Sequence, residues 1–200
     1  MSDSKYTASP TDGAEILRIL ESAPAKGNIE LLYTRRPDAY ESYMKESGEA
    51  GVSYNDAVEE ALSFGWIDST IKHIDPTHRA QRFTPRRAGS PYSRANIERL
   101  IWLDGQGMIH PDVREGVIDI IRAPYIFPED ILEAIRADAL ALENYQRLSE
   151  PYKRIRVAYI DAARGRPEEF KKRLESFIKK TRQGKLIVGY GGIDKYYGMK

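Results

Sequence analysis

Cysteine is missing altogether from this 200-residue chain, which rules out disulfides, thiol nucleophiles and thiolate metal sites. Histidine is scarce: His73, His78 and His110 fall in or near turns and lack the spacing of metal ligands. Long apolar runs are lacking too, since none approaches the roughly 18 residues that cross a bilayer. The opening Met1-Ser2-Asp3-Ser4-Lys5 has no apolar core of the signal-peptide kind. The cytoplasm is therefore the expected address, with no membrane insertion. Excess charge is nearly absent, at 31 Lys/Arg against 30 Asp/Glu. What is present, 41% hydrophobic and 30% charged residues, describes a globular chain with enough length to bury a sizeable core.

The balanced charge hides an uneven distribution. Residues 150–200 hold 14 Lys/Arg against 6 Asp/Glu, while the first 149 hold 17 against 24. A basic tail on an acidic body suits nucleic acid or an anionic surface. The aromatic interleaving that single-strand binding uses is missing, so nucleic acid ranks behind a small anionic ligand as the expected partner. Much of the basic excess also follows from helix architecture: Glu168 and Glu169 open a helix that Lys179, Lys180 and Arg182 close, complementing its dipole.

Four regions are expected: a disordered N-terminus at 1–10, an α+β region at 11–124, a helical region at 125–185, and a Gly/Tyr-rich tail at 186–200. The spacing of Ile16, Leu17 and Leu20 predicts a helix over 12–22, and Ile29–Tyr33 reads as a short strand. Pro37 sits where another helix would begin. Ser53 is a suitable N-cap for a helix carrying Val58, Ala61 and Leu62, which Gly65 ends in a left-handed conformation. The fold class is α+β: a small antiparallel sheet with a β-hairpin at about 66–85, packed on helices, then a mostly helical second half. In that half Ser93, Pro111, Pro128, Pro151 and Pro167 each mark a helix start, with a kink near Asp138. The tail is open to two readings, docked as a short extended segment or mobile.

The hairpin is where chemistry concentrates. Asp75-Pro76-Thr77-His78 supplies the turn, and four arginines (Arg79, Arg82, Arg86, Arg87) follow within nine residues. An odd-length loop would bury Phe83 beside Ile67 and Ile71, leaving Arg82, Thr84, Asp68 and Trp66 on the other face. An arginine fork beside hydroxyls suits a carboxylate or phosphate. The expected ligand-binding set is Trp66, Asp68, Ser69, Arg79, Arg82, Thr84, Arg86, Tyr92, Ser93 and Asn96. Asp68 with Arg82 also reads as a plain cross-strand ion pair.

The run Asp56-Ala57-Val58-Glu59-Glu60-Ala61-Leu62-Ser63-Phe64-Gly65-Trp66-Ile67-Asp68-Ser69, followed by Gln81-Arg82-Phe83-Thr84-Pro85-Arg86, resembles the signature of the YdeI/OmpD-associated family. Ser90, Ser93, Asn96 and Met108 continue that pattern, and Pro128 to Arg173 is similar to the family's C-terminal helical region. The resemblance spans about residues 29–185. It implies a fold and a link by name to bacteriocin protection, and it brings no catalytic residues. Two departures stand out: a family strand has no counterpart in Glu46–Val52, implying a smaller sheet, and Tyr92 replaces a common tryptophan.

No cofactor, metal or catalytic set is expected. Gly189-Tyr190-Gly191-Gly192 lacks the Lys-Ser/Thr and helix start of a phosphate loop. The resulting expectation is a non-enzymatic binding or stress-tolerance protein with a small-anion face on the hairpin. The alternatives are an enzyme acting on a small anionic substrate at that face, and nucleic-acid binding through the basic C-terminal helices. A protein partner is left unspecified.

Overall fold

The structure, a computed structural model, describes residues 5–8, 28–34, 54–73, 78–188 and 193–198. The helices expected at 12–22 and after Pro37, the Ser53 cap and the Glu46–Val52 interval lie outside those residues. Within them the chain is α+β, as its hydrophobic periods imply.

Strands β1 (Lys5–Ala8) and β2 (Asn28–Thr34) precede helix α1 (Tyr54–Ser63) and the hairpin strands β3 (Trp66–His73) and β4 (His78–Pro85). The four form one sheet in the order β1-β2-β4-β3. The hairpin and the strand near residue 29 are where the sequence pattern puts them. Strand β1 is not: the N-terminal ten residues, expected to be disordered, supply a strand parallel to β2, with Lys5 opposite Asn28 and Ala8 opposite Leu31. Its partner is more than twenty residues away, and four polar-leaning residues carry no local period that would reveal a parallel pairing.

Helix α1 buries Val58, Ala61 and Leu62 and ends as expected, with Gly65 at φ 71°. A β-carbon there would take up left-handed strain and also meet Val113 Cγ2 at 3.3 Å. Six more helices follow: α2 (Arg94–Gly105), α3 (Pro111–Arg122), α4 (Glu129–Arg136), α5 (Ala139–Arg147), α6 (Glu150–Asp161) and α7 (Pro167–Arg182). The Ser93 hydroxyl accepts from the Asn96 N–H at 3.3 Å, capping α2. The kink expected near Asp138 is a full break between α4 and α5. There the Asp138 carboxylate accepts from the Ala141 N–H at 3.0 Å and starts α5.

The chain forms two compact units. The first comprises residues 1–91 and 102–117, with Leu62, Trp66, Phe83 and Leu103 buried in it. The second comprises residues 92–101 and 118–200, built on Leu100, Ile131, Ile135, Tyr152, Ile160 and Phe177. In the second unit the tail docks against α6 over its described residues. The Tyr152 hydroxyl accepts from the Ile187 N–H at 2.9 Å, and the Ser149 hydroxyl donates to the Tyr197 carbonyl. A 3₁₀ turn, Ile193–Gly198, buries Tyr196 and Tyr197.

Candidate functional site

The hairpin is set by two registers. Toward the turn, Ile71 stands opposite Gln81 and His73 opposite Arg79, the offset that an odd-length loop produces. Between Asp68 and Ile71 the register shifts, so Ser69 and Thr70 together face Arg82. This is a β-bulge, and one inserted residue reverses the alternation of everything on its far side. Below it Asp68 pairs with Phe83, Ile67 with Thr84, and Trp66 with Pro85. The Ser69 hydroxyl donates to the Arg82 carbonyl at 3.3 Å, giving that acceptor a partner where the ladder is interrupted.

The face assignment expected from period two alone is thereby corrected. Trp66 and Asp68 lie with Phe83, while Arg82 and Thr84 lie with Ile67. Burial explains the preference, because Trp66 and Phe83 are both buried and an indole removes more apolar surface from water than the Ile67 side chain. Ile67 is left half-buried.

Beyond the strand end the ladder gains one more bond, from the Arg86 N–H to the Gly65 carbonyl at 2.9 Å. Alternation then places Arg82, Thr84 and Arg86 on one face, all half-buried. The Arg86 guanidinium donates to the Pro91 carbonyl. Arg79 is positioned by backbone register between Tyr33 of β2 and His73 of β3. The turn carrying Gly65 is tied to the rest of its unit by the His110 N–H on the Ser63 carbonyl at 3.0 Å and by the Phe64 and His110 rings, 5.8 Å apart.

Tyr92, Ser93 and Asn96, the remaining members of the expected set, belong to the second unit. Ser93 is occupied in capping α2, and Asn96 accepts from Arg99 at 3.0 Å. Next to them lies a charge cluster that sequence reasoning did not single out. Glu98, 2% exposed, accepts from Arg154 Nε at 2.7 Å and Nη2 at 2.9 Å, and from Arg94 Nε at 2.7 Å. Arg94 also lies over the Tyr125 ring, 5.1 Å from its centroid. Burial, with Asp161 assisting, pushes the Tyr125 phenol up to about 12 against the pull of Arg94, so it is neutral beside the cluster.

Helix α6 carries a second arginine with a different setting. Arg156 is buried and donates through Nη2 to the Ile187 carbonyl and, at 2.6 Å, to the Tyr197 hydroxyl. Its guanidinium lies 5.7 Å from the Tyr152 ring and 5.4 Å from the Tyr197 ring. Burial pushes the Tyr152 phenol up and the Tyr197 phenol up to about 12, so neither supplies a phenolate to balance Arg156. A cavity of about 390 Å³ opens here between α6, α7 and Ile187–Val188. The signal for Arg156 was in the sequence: it stands four residues after Tyr152 and four before Ile160, on an otherwise apolar helical stripe.

Among the described residues no group of three His, Asp or Glu side chains is placed to hold a metal ion. No helix among them is long and apolar enough to cross a membrane.

These features define an α+β chain with an arginine-bearing hairpin in one unit and a helical second unit. Residues 124–184, which take in α4 to α7, match the family described as Bacteriocin-protection, YdeI or OmpD-Associated. Residues 39–116, which include the hairpin and its signature, match a separate domain of unknown function, DUF8412. No curated protein and no solved structure matches the chain.

Proposed function

We propose that the chain is a non-enzymatic binding protein whose hairpin presents a face for a small anion at Arg82, Thr84 and Arg86. One observation carries this reading. The 65–86 backbone bond continues the register below the bulge, so two guanidinium groups flank a hydroxyl at every second residue of one strand face. Two cations spaced along a strand with a hydroxyl between them suit a tetrahedral oxyanion or a carboxylate. Trp66 and Asp68 serve this face indirectly, as the buried side that fixes the register.

The link of the C-terminal domain's family name to bacteriocin protection is compatible with a binding role in stress tolerance. The test is a phosphate titration of the ¹⁵N-labelled chain, followed through the amides of Ile67, Arg82, Thr84 and Arg86. Saturable shifts at millimolar phosphate that vanish in Arg82→Gln support the reading. Unmoved hairpin amides at 20 mM phosphate, about the weakest binding a specific site would show, contradict it.

A further inference from the structure

The second unit carries a site of its own, independent of the hairpin. Arg156 is 4% exposed, and its Nε has no hydrogen-bond partner among the described residues. No carboxylate among them comes within ion-pairing distance of it: Glu98, the buried acid that α6 also reaches, is taken by Arg94 and Arg154. A buried guanidinium is costly to leave without an opposite charge. Its present partners are a carbonyl, a neutral phenol and two ring faces, which favour the cation without pairing it to an acid. Asp194, whose charge acts on the Tyr152 and Tyr197 phenols, forms no ion pair with it.

The cavity that Arg156 lines repeats this imbalance. Its other cations are Lys172 and Arg173, against one carboxylate, Glu169. That carboxylate is committed, accepting from Arg173 Nε at 2.7 Å, which lowers its pKa. Arg173 is itself stacked over the Tyr159 ring at 3.8 Å and donates to the Tyr159 carbonyl at 2.7 Å. Arg156 is therefore a cavity cation with no ion-paired carboxylate, and Lys172 acts on Glu169 without forming an ion pair with it. The remaining wall is apolar, from Ile160, Phe177 and Val188. The volume, about 390 Å³, falls in the range of pockets that enclose small organic ligands.

We propose that this cavity binds a small organic carboxylate with an apolar body, its carboxylate set between Arg156 and Lys172 and its body against Ile160, Phe177 and Val188. Arg156 gives Nη2 to the protein and its Nε is enclosed by it, so the ligand's carboxylate meets the part of the guanidinium that lines the cavity and adds an opposite charge beside it. The apolar wall excludes a fully hydrated inorganic anion as the preferred occupant.

The test uses the full ¹⁵N-labelled chain with benzoate as probe, benzamide as its uncharged isostere and inorganic phosphate as the anion without a body. Benzoate at low millimolar concentration shifts the Ser176, Phe177 and Val188 amides saturably, while benzamide and phosphate bind at least about tenfold more weakly, the ratio one well-made charged contact supplies. Arg156→Gln abolishes the benzoate shifts. Because Arg156 also ties down the tail, Lys172→Glu serves as the variant that leaves the fold intact, since Lys172 is exposed. It weakens benzoate binding by about tenfold with unchanged amide dispersion. Benzamide or phosphate shifting the Ser176, Phe177 and Val188 amides as readily as benzoate, an unaffected Lys172→Glu variant, or benzoate shifts confined to the hairpin amides would each overturn the proposal.

Discussion

Arg154 and Arg156 stand two residues apart on α6, about 200° apart around a helix of 3.6 residues per turn, and their surroundings differ accordingly. Arg154 meets a buried carboxylate in a two-pronged contact with Glu98, and that hydrogen bonding, first among several causes, raises its pKa further. Arg156 meets a carbonyl, a phenol and two rings, and a cavity. The first arrangement is closed: both guanidinium groups share one buried carboxylate, and the cluster fastens Arg94 and Glu98 of α2 to α6. The second is open, with a cation held in place by the fold and ion-paired to no carboxylate among the described residues. Residue type alone says nothing of this difference, which comes from what each helix face packs against. A charge cluster of the closed kind is read most simply as structure, and one of the open kind as a place for a ligand.

Breaking the closed cluster gives the largest expected effect. Glu98→Gln leaves two partly buried guanidinium groups without their acid, and unfolding by urea should show a loss of about 3–5 kcal/mol. Arg156→Met, by contrast, removes a charge that has no acid partner. Its stability change should be the smaller of the two by at least about 1 kcal/mol in the same experiment. Equal losses would mean that the two arginines are not differently satisfied.

The hairpin offers the next effect. Deleting Thr70 removes the bulged residue and forces one register along the whole of β3, turning Trp66 away from the Phe83 side. A cost of about 1.5–3 kcal/mol is expected from exposing so large a side chain, with a red-shifted Trp66 emission in a Trp102→Phe background. Unaltered emission would show that the bulge does not govern the face. Asp138→Ala, which removes the cap of α5, should cost about 1 kcal/mol in thermal or urea unfolding.

The smallest effect concerns two glutamates with opposite shifts. Burial, then Glu59 and Asp56, raises Glu60, so the native state keeps a proton that the unfolded chain has already released. Stability then falls as pH rises from the ordinary Glu range through the folded value, and Glu60→Gln removes that fall. With solvent screening discounted for a half-exposed group, the gain at neutral pH is about 0.5 kcal/mol or less. The Arg173 hydrogen bond lowers Glu169, so its contribution is present above the ordinary Glu range and is lost as pH falls through the folded value. Glu169→Gln should therefore flatten the acid side of the stability profile, whereas Glu60→Gln flattens the side above it.

Much of the helical architecture was legible in the sequence because its signals are local. Ser93 caps α2, Pro111 and Pro167 are the first residues of their helices, and Gly65 adopts the left-handed conformation its position suggested. The hairpin's strands were legible for the same reason. Its faces were not, because Ser69 and Thr70 both suit a regular strand, and only the competition between Trp66 and Ile67 for the buried side reveals an inserted residue. Strand β1 depends on a partner far along the chain and has no local signature. Of the hairpin faces, the sharing by Arg82, Thr84 and Arg86 was legible, while Trp66 and Asp68 lie on the opposite face. Arg156 is hard to read from sequence because, in a basic segment, its charge masks its place in the Tyr152–Ile160 stripe.

The difference between the two α6 arginines can be read directly from their Nε–Hε resonances as benzoate is added to the intact chain. The expected result is that the Arg156 signal moves saturably while the Arg154 signal, held by Glu98, stays where it is. An Arg156 signal that does not move, or one that moves only in step with that of Arg154, would contradict it.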